Sequence, residues 1–411
     1  MRRVFLLRGG FPAVRGCGSI SAHQVFRNGI PSHGILSCDE GGSGVSTQTG
    51  SDAERSTGAR ELTGLAAQLL EEAGLAPRSA RSVADSLVAS NLLGHDSHGV
   101  RRLPGYLAAV REGLIDPART GRLLSRRGAT AVIDGERAFG QLAAGLATGE
   151  LLSLCEEFAV GVVTVENCNH IGRLGEYTAR LADAGLVALA LSNADATVAP
   201  YGGRERRLGT NPMSWGLPRA EGRAPLVMDW ATAAVAEGKL ALARTRGLSV
   251  AEGLLLDSAG AGSRDPGDFY RGGALLPFGG HKGYGLSVVI EIVGGLLSRA
   301  GISSMPGYEG HFGTVLIGVR IDAFVPLAEF RAQTEEFCAE LARTEPSEGG
   351  EEVLVPGEPE ERTQEYRRRH GIPLPQRTWE ELLALKGTAD GDGQDGGKPG
   401  PYGDQGDHAD P

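Results

Sequence analysis

Gly94-His95-Asp96-Ser97-His98-Gly99-Val100-Arg101-Arg102-Leu103-Pro104-Gly105-Tyr106 gathers two histidines, a serine, an acid, two arginines and a tyrosine in an otherwise apolar and small-residue neighbourhood. Read as a helix from Ser97, it places His98, Arg102 and Tyr106 four residues apart on one face. Val100, Leu103, Leu107, Val110 and Leu114 form a neighbouring apolar stripe that would dock the helix. An imidazole, a fixed cation and a phenol then point together at one place. Spacing alone fits equally well a partly solvated polar face beside a core stripe. Pro104 removes one backbone donor and favours a kink.

Upstream, Leu62, Leu65, Ala66, Leu69, Leu70 and Ala73 repeat at helical spacing, and Gly74 stops that helix. Pro77 opens a second helix with Ala80, Val83, Ala84, Leu87 and Val88 inward. Downstream, Ala131 to Asp134, the β-branched run Val160 to Glu166, Gly185 to Ser192, Leu226 to Asp229 and Thr314 to Ile321 read as strands. Gln141 to Phe158, a segment through Ala233 and Lys239, Leu286 to Leu297, Glu329 to Leu341 and Thr378 to Leu385 read as helices, and Val353 to Pro359 as extended chain. This alternation predicts a mixed α/β fold with N-terminal helices and a central sheet region. Several polar clusters fall where a strand ends, where sheet enzymes gather their reactive groups.

The chain has 411 residues, 41% of them hydrophobic, enough for one large or two ordinary domains. A formal net charge of -10 excludes a nucleic-acid-binding surface as an expectation from composition. No segment is apolar enough for a membrane span. Cys17, Cys38, Cys155, Cys168 and Cys338 are scattered and odd in number, which fits a reducing compartment rather than a disulfide framework. Residues 1–55 carry Arg2, Arg3, Arg8, Arg15 and Arg27 before the first acid, Asp39. That is the composition of a mitochondrial transit peptide or of an extension without a role. The expected location is accordingly the cytoplasm or the mitochondrial matrix. Residues 56–386 form the expected catalytic domain, and 387–411 are a Gly- and Asp-rich tail expected to be disordered.

No strand is followed by G-x-G-x-x-G with an acid about 20 residues on, so the Rossmann fingerprint is absent. The run Gly279 to Gly285 could hold a phosphate on its helix-start amides with Lys282 adding charge. Taken by itself it reads first as a plain Gly-rich turn. His95, Asp96 and His98 are too thin a set for a metal, and none is expected. His170 follows a buried strand in a loop with Asn167 and Asn169; a lone histidine is more often structural, and the strand end with its small neighbours also suits a ligand contact. Asp229 closes a strand and could cap the helix that follows.

The constellation as a whole resembles the type-2 malate/L-lactate dehydrogenase family, which includes sulfolactate and ureidoglycolate dehydrogenases and a ketimine-type reductase. The matching motifs are Gly94 to Gly99 with Arg102 and Tyr106, Asn167-Cys168-Asn169-His170-Ile171-Gly172, Val198 to Gly203 and Leu208-Gly209-Thr210-Asn211-Pro212. They continue with Met228-Asp229-Trp230-Ala231-Thr232, Gly238-Lys239, Gly280-His281-Lys282-Gly283-Tyr284-Gly285 and Val355 to Pro359. Their order agrees over residues 58 to 386. The resemblance implies a non-Rossmann fold that binds NAD or NADP, and a homodimer with sites near the interface. It implies catalytic roles for Ser97, His98 and His170, and substrate contacts from Arg102, Tyr106 and Thr210. His170, Gly172, Ala194, Asp195, Asp229, Trp230, Ala231, Lys239, His281, Lys282 and Gly283 would line the cofactor. Two segments depart from the family: the N-terminal extension, and a connection between Leu297 and His311 that is shorter than in relatives.

Oxidising a 2-hydroxy acid requires a base for the hydroxyl proton while hydride leaves the carbon. The expected base is His98, its carboxylate-anchoring neighbour Arg102, with Ser97 or Asp96 orienting the imidazole. The expected substrate is a small carboxylate of the malate, lactate or sulfolactate type. Alternatives are a cyclic ketimine for the same hydride donor, and a non-catalytic nucleotide-binding homologue.

Overall fold

The structure is a computed structural model that describes residues 54–348 and 350–387. The arginine-rich extension up to residue 53 and the tail from 388 lie outside the described residues.

Strand β1 (Glu54–Thr57) leads into helices α1 (Ala59–Glu72) and α2 (Pro77–Leu92). Their inward residues are those the spacing selects: Leu62, Leu65, Ala66, Leu69 and Leu70 from α1, and Ala80, Val83, Ala84, Leu87 and Val88 from α2. Two short 3₁₀ turns follow, then α3 (Leu103–Arg111).

The central sheet starts with β2 (Arg122–Arg127) and β3 (Thr130–Asp134). Helix α4 (Gly140–Phe158) crosses over to β4 (Val160–Glu166), parallel to β3. Helix α5 (Gly175–Asp183) connects to β5 (Leu186–Ser192), and β6 (Met213–Leu217) and β7 (Leu226–Trp230) continue as an antiparallel meander. Then come α6 (Glu237–Thr245), the small strands β8 (Leu255–Leu256) and β9 (Gly262–Ser263), α7 (Gly267–Tyr270), β10 (Ala274–Leu275) and α8 (His281–Leu297). Strand β11 (Thr314–Arg320) inserts between β4 and β5, antiparallel to both. The seven strands lie in the order β2-β3-β4-β11-β5-β6-β7. The chain closes with α9 (Leu327–Ala342), α10 (Glu358–His370), β12 (Ile372–Pro375) and α11 (Gln376–Ala384). Pairing of β12 with β1 ties the two ends of the described chain together.

Alternate residues of each central strand face opposite layers. Val163 and Val165 of β4 pack against α4 and α5, while Leu191 of β5 and Val315 of β11 pack against Ile290 of α8. Gly161 and Gly318 face each other across β4 and β11. A Cβ on either would come within 2.8 Å of a leucine side chain, so the pair lets α4 lie close to the sheet. No helix among the described residues is long and apolar enough to cross a membrane.

The structure corrects four expectations. The run from Ser97 is not one helix. Val353 to Pro359 is not wholly extended, because α10 begins at Glu358 and runs through a stretch left unassigned; it buries no residue, so it carries no apolar period. The helix expected through Ala233 starts only at Glu237. Pro104 produces no kink: it sits in the first turn of α3, where a missing N–H breaks no helical bond.

Candidate active site

Asn91, buried near the end of α2, explains why the opening stretch breaks. Its side-chain oxygen accepts the Val100 N–H at 2.9 Å and its amide donates to Asp96 at 2.6 Å. A Cβ on Gly99 would lie 2.2 Å from that oxygen, so the chain turns there in an extended glycine instead of continuing a helix. Asp96 is therefore not the group that orients the imidazole. Its carboxylate takes a two-pronged contact from Arg367 of α10, at 2.7 and 3.0 Å. Helix α10 thus clamps the turn that carries Ser97 and His98.

Ser97 Oγ lies 3.0 Å from His98 Nδ1. Arg102 Nε donates to the Ser97 carbonyl at 2.7 Å, which fixes the guanidinium. His98 stacks on His170, ring centroids 5.4 Å apart. Burial, reinforced by Arg102, His95 and Arg173, pushes the His98 imidazole down to about 3, and burial likewise holds His170 well below the usual histidine value. Both rings are neutral at physiological pH. Tyr106 is placed against His170. Its hydroxyl accepts from Gln141 Nε2 at 3.0 Å and is hydrogen-bonded to His170 Nδ1 at 2.7 Å, which orients that ring. Burial pushes the Tyr106 phenol up to about 12, so it stays a donor. Phe312, at the start of β11, closes the other side of His170 edge-on at 5.7 Å.

Asp229 ends β7, but it does not cap the helix that follows. Its carboxylate accepts the Gly175 N–H at 2.7 Å, at the start of α5, 54 residues earlier. Gly238, in the first turn of α6, would place a Cβ 2.9 Å from Ser97 Cβ. This close approach brings the start of α6, with Lys239, to the turn that carries Ser97 and His98.

A second group of loops is held by Glu291, which is 2% exposed. Its carboxylate accepts from Asn193 Nδ2 at 3.1 Å, Asn211 Nδ2 at 2.7 Å, Ser303 N at 2.7 Å and Gly209 N at 3.3 Å. It anchors the loops that present Ala194, Asp195 and Thr210. The Thr210 carbonyl in turn takes both the N–H and the hydroxyl of Thr232. The short connection after Leu297 belongs to this group: Asn193 also donates to Gly301 O, and Tyr308 OH donates to Asp195 at 3.1 Å. Asn193 pairs with Gly313, next to Phe312, which joins this group to His170. Glu291→Leu takes the acceptor from the Gly209 and Ser303 N–H groups and one of the acceptors from each of the Asn193 and Asn211 amides. It is expected to lower unfolding free energy by at least about 3 kcal/mol in denaturant titration. A loss below about 1 kcal/mol would remove the anchoring role.

The remaining expected cofactor residues are spread along the adjoining lobe. Trp230 is 45% exposed and tilts against Phe278, centroids 5.4 Å apart. Lys239, His281 and Lys282 are exposed, and Tyr201 packs edge-on against His281. Gly283 is fixed by packing, since a Cβ there would lie 2.0 Å from Phe278 O. Gly172 has φ +79°, and Ala231 is half-buried. Among the described residues no His, Cys, Asp and Glu cluster could hold a metal. A cavity of 510 Å³ lined by Asp134, Arg137, Asn169 and His311 adjoins this region but includes none of His98, Arg102 or His170.

Sequence reasoning missed three contributors: Arg173, Glu291 and Arg367. A lone acid in the apolar run Leu286 to Leu297 was a usable signal for Glu291. Nothing local marks Arg367, one of three consecutive arginines.

The family model described as malate/L-lactate dehydrogenase matches residues 58–383. Hydroxycarboxylate dehydrogenase B of Escherichia coli strain K12 is 33% identical over 322 residues, 76% of this chain and 89% of that protein. L-sulfolactate dehydrogenase of Methanocaldococcus jannaschii is 32% identical, covering 77% and 92%. The crystal structure of malate dehydrogenase from Entamoeba histolytica superposes with a TM-score of 0.78 at 27% identity, covering 83% of this chain and 99% of that one.

Proposed function

The chain belongs to the malate/L-lactate dehydrogenase family and is a hydroxy acid oxidoreductase; on that premise we propose that His98 moves the proton and Arg102 anchors the carboxylate of a small 2-hydroxy or 2-oxo acid. The observation that carries this reading is a neutral, half-buried imidazole beside a guanidinium already fixed through its Nε. Fixing Nε on the Ser97 carbonyl leaves the two Nη groups as a planar fork for a carboxylate.

In the tautomer this role requires, His98 Nδ1–H donates to Ser97 Oγ and the lone pair is on Nε2. In the oxidising direction the substrate hydroxyl gives its proton to Nε2, and the electron pair of the C2–H bond leaves as hydride. A bound nicotinamide supplies the hydride acceptor. Arg102 holds the carboxylate so that C2 faces it. His170, oriented by Tyr106 and Gln141, packs behind His98 and keeps water from that side. In the reducing direction protonated His98 returns the proton to the carbonyl oxygen.

The exposed residues Trp230, Lys239, His281 and Lys282 fit a dinucleotide: a flat indole for a ring and three cationic or polar groups for phosphates. Helix α8 begins just after Gly279 and Gly280, and its amides add to that set. The helix also presents Val289, Ile292 and Leu296 to solvent, three and four residues apart, with no charge among them. This uncharged stripe supports the homodimer included in this reading, which light scattering checks. Assaying malate, lactate, sulfolactate, ureidoglycolate and a cyclic ketimine with NAD(H) and NADP(H) tests the function. Turnover of a hydroxy acid is expected. Turnover of the ketimine alone would replace this reading with an imine reductase, and nicotinamide binding without any turnover would replace it with a non-catalytic homologue.

A further inference from the structure

Arg173 stands apart from the other cations around His98. It lies between β4 and α5, and its side chain is 11% exposed. Its Nε is enclosed and has no hydrogen-bond partner among the described residues. Its ion-pair partner is Asp229, whose Oδ2 is 3.9 Å from Nη1, beyond hydrogen-bond reach. That oxygen already accepts the Gly175 N–H. Two other acids nearby are occupied as well: Glu176 accepts from Ser86 Oγ at 2.6 Å, and Glu360 pairs with His95 at 3.5 Å.

A guanidinium has five donors and no acceptor. Enclosing it without an acceptor is unfavourable, and an anionic oxygen offsets that cost. Arg173 and Arg102 both act electrostatically on His98. The site therefore sets two guanidinium groups around one neutral imidazole, whereas the carboxylate of a 2-hydroxy acid engages only one. The backbone N–H of Gly175 is taken by Asp229, so this is a side-chain site and not a helix terminus.

We propose that Arg173 is a second anion-binding residue of this site, taking a carboxylate, sulfonate or phosphate oxygen. That oxygen is carried either by the far end of a dianionic 2-hydroxy acid or by the diphosphate of the dinucleotide. This rests on the hydroxy acid reading above. It adds a selectivity: with the substrate as source, doubly charged acids are preferred over singly charged ones of similar size.

The test compares the wild-type chain with Arg173→Gln and Arg173→Lys. Steady-state kinetics on malate and lactate read the substrate, and quenching of protein fluorescence by NADH and NADPH reads the cofactor. If the substrate supplies the anion, Arg173→Gln loses about tenfold or more in kcat/KM for malate and little for lactate. If the dinucleotide supplies it, cofactor affinity falls by about the same factor and the malate to lactate ratio is unchanged. Arg173→Lys, which keeps the charge without the planar fork, recovers part of either loss. If neither quantity moves in a folded Arg173→Gln, the proposal is overturned. Should that variant not fold, Arg173→Lys decides: a several-fold change in either quantity supports the proposal, and none overturns it. A wild-type chain that turns over no hydroxy acid refutes the hydroxy acid reading instead, and the cofactor titration still decides the role of Arg173.

Discussion

Replacing His98 with alanine is expected to lower kcat for hydroxy acid oxidation by about 10²- to 10⁴-fold, the usual contribution of a positioned proton-transferring group. KM should move far less, because the carboxylate anchor stays in place. The size of the loss follows from the environment: the ring is held by Ser97 and stacked on His170, a fixed position that a replacement water would lack. A folded His98→Ala protein with near-normal turnover would sink the assignment. The pH profile carries a signature of the same residue. Burial and neighbouring cations lower His98 to about 3, so the base form is already complete well below neutrality. In the oxidising direction kcat/KM should therefore show no acid limb at the ordinary histidine value of about 6.5. In the reducing direction the protonated form is required, and kcat/KM should climb by about tenfold per unit as pH falls from neutrality. An acid limb near 6.5 in oxidation would assign the proton to another group.

Arg102→Ala should cost about 10²- to 10³-fold in kcat/KM, as expected from the loss of two hydrogen bonds to a charged group. Most of this should appear in KM, with a smaller part in kcat, because the anchor also aims C2 at the hydride acceptor. Arg102→Lys should recover only part of it, since an ammonium cannot make the two parallel contacts. The substitution has a second consequence. Burial holds the His98 imidazole down and Arg102 adds to it, so removal of Arg102 should raise the His98 value part of the way back. An unchanged KM in Arg102→Ala would refute the anchoring role.

Legibility of the fold depended on whether the signal was local. Strand β4 coincides with the β-branched run Val160 to Glu166, because burial on both faces leaves a continuous apolar stretch. The inward faces of α1 and α2 were legible from helical spacing. Helix α10 was not, because Arg367 and Glu360 fasten it through charged contacts, which leave no period. The break at Gly99 was illegible because its cause is tertiary: Asn91 fills the space a continuous helix would need. For the same reason Asp229 was expected to serve the nearest helix in sequence, whereas the sheet carries it to the start of α5. His98, Arg102 and His170 were legible as chemistry, and their motifs as a family. What the sequence could not carry was enclosure. That Arg173 and Glu291 are buried charges depends on the packing of α5, α8 and the loops around them.

The reaction proposed for this chain is hydride transfer from C2 of a hydroxy acid to a nicotinamide. The most direct measurement supplies the wild-type chain with a hydroxy acid substrate carrying deuterium at C2, using whichever oxidised nicotinamide supports turnover, and follows the reduced cofactor by mass spectrometry. The expected result is reduced nicotinamide carrying one deuterium per turnover, with a slower rate than for the unlabelled acid when hydride transfer limits. Reduced nicotinamide that carries no deuterium, or oxidised acid formed without reduced nicotinamide, would contradict the account.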